Sequence, residues 1–183
     1  MEKWPRFAIL IAGLTIVSAL AAPAGAAGFS LSSATFAAGA TMPRSSEFRG
    51  MGCNGGNLSP QLSWNGTPRR TRSFVLTVHD ADAPVSGGWW HWVRYDIPAR
   101  ASGLAPGARG PGSDATTSFN AVGYGGPCPP PGDRPHHYRF VLWALDVPTI
   151  GATPRTTGPE LAALIRGHVI AQAVLVGRFG RPH

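Results

Sequence analysis

One lysine, Lys3, stands in the 183 residues, so nearly all the positive charge of this chain rests on arginine. Acidic groups are also scarce: nine Asp and Glu face 16 Lys and Arg, for a formal net charge of +7. That balance favours anionic surfaces. It does not specify nucleic acid, because the arginines are scattered apart from Arg69, Arg70 and Arg72, and those flank a Thr-Pro turn that reads as a solvated loop. After the N-terminal stretch no segment is apolar enough to span a bilayer, so no stable membrane insertion of the mature chain is expected. The chain has no His-Glu-x-x-His, no His-x-His and no Cys-rich metal signature, and no Gly-x-Ser-x-Gly nucleophile elbow. No repeat of fixed period and no dividing linker occur, which leaves one domain over residues 27–183.

The first residues read as an address label. Lys3 and Arg6 precede an apolar run from Phe7 to Ala22 and a small-residue segment ending near Ala26. This is the pattern of a signal peptide over residues 1–26, and it implies a secreted or periplasmic protein without a nucleic-acid partner. No cysteine stands at the cleavage site, which argues against a lipid anchor. Only two cysteines are present, Cys53 and Cys128, both in Gly-rich segments of an exported chain. Thiols in that compartment pair, so a Cys53–Cys128 disulfide is expected, closing a loop of roughly 75 residues and contributing on the order of 4 kcal/mol.

What the sequence has in abundance is punctuation. Pro, Gly, Ser and Thr recur every ten or so residues between short β-branched or aromatic runs, which is all-β patterning. Ser73 to His79 alternates, with Phe74, Leu76 and Val78 on one face and Val75, Thr77 and His79 on the other. Further strands are expected over Trp89–Ile97, Tyr138–Val147 and Val169–Phe179, with weaker signals in Phe29–Phe36 and Gln61–Trp64. One helix is marked by Thr157 as N-cap, Glu160 three residues on, and Gly167 as the stop. Ser102 to Tyr124 has no period and reads as a long connecting loop.

Polar residues gather in two places. His79-Asp80-Ala81-Asp82-Ala83-Pro84 ends a strand, and Trp89-Trp90-His91-Trp92 begins the next, so both carboxylates and His91 belong at one rim of the sheet. Taken alone, Asp80 and Asp82 read as turn formers that bond backbone amides. The second cluster runs from Gly123-Tyr124-Gly125-Gly126 through Cys128 to His136-His137-Tyr138. Strand parity places His136 and Tyr138 on one face with Phe140 and Leu142, and His137 and Arg139 on the other. Gly125 and Gly126 have no side chain to block approach to their amides, which could bind an anion. Trp64, Trp90, Trp92 and Trp143 read as packing groups, and His79 and His168 as structural histidines.

These motifs together resemble the phosphatidylethanolamine-binding protein family, in its bacterial Raf-kinase-inhibitor-like branch. The match runs through Asp80-x-Asp82-Ala83-Pro84, Trp90-His91-Trp92-Val93, Gly123-Tyr124-Gly125-Gly126-Pro127-Cys128, and His136-x-Tyr138 before Ala144-Leu145-Asp146. It extends to Gly56-Asn57-Leu58-Ser59-Pro60 and to Gly167-His168-Val169. The resemblance implies a mainly antiparallel β-sandwich with one short helix and a rim cavity for phosphate, phosphoethanolamine or a similar small anion. That cavity would be lined by Asp80, Asp82, His91, His136 and Tyr138. Imidazolium groups and the Tyr138 hydroxyl would donate to phosphate oxygens, with the carboxylates raising the histidine pKa values. Ala81 stands where the family has Pro, and His137 where it has another basic residue. The expectation is a binding protein rather than an enzyme, with no cofactor, no metal and no catalytic residue, and with a protease or kinase as a possible protein target. The alternative is a metal-dependent hydrolase built on the same Asp and His residues.

Overall fold

The computed structural model describes Met1 and residues 28–107 and 110–182. The segment expected to be a signal peptide lies, apart from Met1, outside the described residues.

Ten strands and one helix follow in chain order: β1 Ser30–Ser32, β2 Arg49–Gly50, β3 Cys53–Asn54, β4 Leu62–Asn65, β5 Ser73–Asp80, β6 Trp89–Pro98, β7 Gly103–Leu104, β8 Ser113–Asp114, β9 His136–Leu145, α1 Gly158–Ile165 and β10 Val169–Phe179. They form a five-stranded sheet in the order β10-β9-β5-β6-β8, a three-stranded sheet β1-β4-β7 and a two-stranded ribbon β2-β3. Every strand pairing is antiparallel. The protein is therefore the expected β-sandwich with a single short helix, and no described helix is long and apolar enough to cross a membrane.

β5 is central and buried on both faces. Its Phe74, Leu76 and Val78 join Trp92, Phe140 and Leu142 of the neighbouring strands, and Leu62 and Trp64 of β4 close that core from the facing sheet. Val75 points the other way, into a second cluster with Val93, Tyr95 and Leu145 under Leu161 and Ile165 of α1. The alternation in the sequence thus sorts two apolar neighbourhoods. α1 begins where expected, with the Glu160 carboxylate accepting from the Thr157 amide at 2.8 Å.

Two expectations need correction, and one element was missed. β9 starts at His136 rather than Tyr138, because β10 is long enough to pair Phe179 with His136 and carry the ladder two residues further. Ser102 to Tyr124 is not structureless: β7 joins the small sheet and β8 lies on the edge of the large one. Arg94 of β6 anchors this stretch, donating to both Asp114 oxygens at 2.9 Å and to the carbonyls of Gly110, Pro111 and Gly112. Two-residue strands carry no period, so only this buried guanidinium reveals why the segment is ordered. The β2-β3 ribbon was likewise not marked by any pattern; its turn places Met51 and Gly52 at positive φ, the conformation of a tight hairpin. Cys53, directly after that turn, is bonded to Cys128.

Candidate functional site

The antiparallel register brings three strand ends to one rim, since Asp80 closes β5 opposite Trp89 of β6 on one side and Tyr138 of β9 on the other. A cavity of about 180 Å³ opens there. Asp80, His91, His136 and Tyr138 are its buried polar lining, joined by Trp89 and Phe119. Met51, Pro84, Val85 and Pro130, all exposed, form its outer edge, and Cys128 and Pro129 complete the lip.

Within the cavity each polar group has a defined partner or a defined lack of one. Asp80 accepts from His136 Nδ1 through Oδ2 at 2.7 Å, and from the amide of Asp82 through Oδ1 at 2.9 Å. His91 Nδ1 lies 2.8 Å from the Gly125 carbonyl oxygen and 3.1 Å from that of Gly126. Burial lowers the His91 pKa to about 4, against the opposing pull of those carbonyls and of the Asp80 carboxylate. The Trp89 indole nitrogen is buried and makes no hydrogen bond, and the buried Tyr138 hydroxyl makes only a long, weak contact with the Asp80 carboxylate. Burial, reinforced by the nearby Asp80 carboxylate, pushes the Tyr138 phenol well up, so it remains a protonated donor.

Asp80, His91, His136 and Tyr138 therefore meet as the sequence suggests, and the strand parity of His136 and Tyr138 holds. Three details differ. Asp82 does not line the cavity: its Oδ2 accepts from the His137 amide at 2.9 Å and from His137 Nδ1 at 2.7 Å, while Oδ1 takes Arg134 at 3.2 Å. These bonds hold the Asp82 pKa below its ordinary value, His137 first, and clamp the β5–β6 loop to the entry of β9. The Gly125 and Gly126 amides are occupied as well, by the His91 carbonyl at 2.8 Å and the Asn57 side-chain oxygen at 2.8 Å. Glycine is needed there for close packing, since a Cβ would strike Phe119 at Gly125 and the Ser46 carbonyl at Gly126. Finally, of the two histidines expected to donate as imidazolium, His91 is held toward its neutral form, because its desolvation outweighs the carboxylate's attraction.

Trp89, Phe119, Met51 and the Cys128–Pro130 lip were missed as lining groups. The only available signal for Trp89 was its position as the first strand residue after the Asp80 turn. Phe119 and Met51 come from loops whose placement depends on Arg94 and on the disulfide. The disulfide itself joins Cys53 and Cys128 across a separation of 75 residues. Arg181 reinforces it, donating to the Gly52 carbonyl at 2.8 Å and the Pro129 carbonyl at 3.2 Å. The hydrolase alternative finds no support: among the described residues no three His, Cys, Asp or Glu are grouped to hold a metal ion.

Known proteins resemble this chain in sequence and fold. A family model described as phosphatidylethanolamine-binding protein matches residues 32–180. The UPF0098 protein YbcL of Escherichia coli (strain K12) is 39% identical over 167 residues, covering 87% of this chain and 91% of the relative. The UPF0098 protein YbhB of the same organism is 37% identical over 149 residues, covering 77% of this chain and 93% of that protein. The crystal structure of Escherichia coli YbcL, described as a new member of the mammalian PEBP family, superposes with a TM-score of 0.81 at 37% identity, over 84% of this chain and 99% of that one.

Proposed function

The chain belongs to the phosphatidylethanolamine-binding protein family, and from that premise we propose that it binds a small phosphate-like anion, inorganic phosphate or a phosphoethanolamine-like monoester, in the rim cavity. At the coarse level of a binding protein, family membership supports this. Two buried, under-used donors carry the finer assignment: the Trp89 N–H, which has no partner, and the Tyr138 hydroxyl, weakly held by Asp80, both belong to side chains lining one cavity. A buried donor left unbonded costs on the order of 1–3 kcal/mol, which an oxyanion seated within reach of it relieves. The Asp80 carboxylate would repel that anion if it stood alone, but it is engaged by His136 at 2.7 Å and by the Asp82 amide. The exposed apolar edge of Met51, Pro84, Val85 and Pro130 can accommodate an organic substituent on the anion.

Calorimetric titration with inorganic phosphate tests the assignment. Tyr138→Phe removes a hydroxyl whose contact with Asp80 is long and weak, so it should change stability by less than about 1 kcal/mol and weaken phosphate binding by about tenfold or more. Equal affinity in both proteins, or no measurable binding in either, would refute it. Export is part of the same proposal: the Cys53–Cys128 bond suits an oxidising compartment, in keeping with the signal-peptide pattern of residues 1–26.

A further inference from the structure

We propose that the cavity selects the singly charged, still protonated form of a phosphomonoester, because His91 offers the ligand a lone pair rather than a proton; this rests on the phosphate-like assignment above.

The geometry of the His91 ring dictates the tautomer. Nδ1 faces two carbonyl oxygens, at 2.8 Å and 3.1 Å, and a carbonyl can only accept. The ring proton therefore sits on Nδ1. In the neutral imidazole the other nitrogen, Nε2, is then an acceptor, and it makes no hydrogen bond to any described residue although His91 lines the cavity. The ring is 4% exposed and packed edge-to-face on Tyr138 and Phe119, so little water is available to stabilise a second proton. The low His91 pKa is consistent with this.

The groups around the ring give the same answer from each element. β5 contributes the Asp80 carboxylate and, further off, His79; β9 contributes His136, bonded to Asp80, and the Tyr138 phenol. Beyond the rim stand Asp133, 3.5 Å from His136, and the Asp82–Arg134–His137 clamp. A ligand in this cavity meets the Tyr138 and Trp89 donors and the His91 acceptor, beside the bonded Asp80–His136 pair. A phosphomonoester monoanion complements all of these: its bare oxygens accept and its P–OH donates. A dianion, a sulfate or a phosphodiester has no P–OH and would place oxygen lone pairs against the His91 lone pair.

Calorimetry with methyl phosphate, dimethyl phosphate and sulfate at pH 5.5 separates the possibilities. Methyl phosphate and dimethyl phosphate are then both largely monoanions, and only the first carries P–OH. Methyl phosphate should bind about tenfold or more tightly than either of the others. Its affinity should also fall roughly tenfold per pH unit above the second phosphate pKa of about 6. Dimethyl phosphate keeps one charge throughout, so any pH dependence it shows reports titration of the protein and can be subtracted. Nitrogen-15 spectra of the imidazoles should show His91 Nε2 still unprotonated in the methyl phosphate complex. Equal binding of methyl and dimethyl phosphate, a flat pH profile after subtraction, or protonation of Nε2 on binding would overturn the selection while leaving the phosphate assignment standing. Failure of all three ligands to bind would overturn both.

Discussion

Acid should destabilise this protein through a single buried ring. His91 has a folded-state pKa of about 4, against an ordinary value of 6.5, with desolvation as the leading cause. The usual direction for a histidine that gains a partner is therefore reversed. Between pH 6.5 and pH 4 the unfolded chain holds the proton and the folded one does not, so stability rises with pH across that window and is lost as pH falls through it. Integrated from pH 7 to pH 4.5, this one group should remove about 2 kcal/mol of unfolding free energy, a large share of what a domain of this size commonly has. Urea denaturation at a series of pH values would measure the total slope, and the same series on His91→Phe would isolate the contribution of the ring. Phenylalanine preserves the edge-to-face contacts with Tyr138 and Phe119 while removing the titrating group, so the slope between pH 6.5 and pH 4.5 should flatten even though the Gly125 and Gly126 carbonyls lose their donor. Proton NMR would follow the imidazole directly. A His91 titration near pH 6.5, or equal slopes in the two proteins, would refute the reasoning.

Two other perturbations test the scaffold that holds the site. Replacing both cysteines by alanine releases a crosslink with a sequence separation of 75 and should cost on the order of 4 kcal/mol. At roughly 2–4 °C per kcal/mol for a domain of this size, Tm in a calorimetric scan should fall by about 10 °C, and a fall below about 3 °C would contradict the estimate. Asp114→Asn takes the countercharge from the buried Arg94 guanidinium, whose side chain is 3% exposed. Urea unfolding should show a loss of about 3 kcal/mol, and a loss under about 1 kcal/mol would mean that the remaining partners of Arg94, the loop carbonyls among them, satisfy it without a countercharge.

Much of the architecture was legible in the residues because it depends on local periodicity. The alternation of Phe74, Val75, Leu76 and Thr77 sets the faces of β5, and Thr157 with Glu160 sets the start of α1. The parity of His136 and Tyr138 decides which groups turn inward. The compartment implied by the N-terminal pattern was enough to pair Cys53 with Cys128. Apart from the disulfide, whose two cysteines leave a single possible pairing, none of these inferences needs a partner from elsewhere in the chain.

The chemical character of the cavity is a different matter, since it depends on which groups from distant segments arrive next to each side chain. Asp82 carries the same carboxylate as Asp80, yet one is turned to His137 and Arg134 while the other lines the cavity. Gly125 and Gly126 looked open for an anion, but the fold fills their amides and uses their carbonyls to hold His91. A histidine motif in the sequence suggests positive charge at His91; burial, a property of the assembled tertiary structure alone, opposes it there.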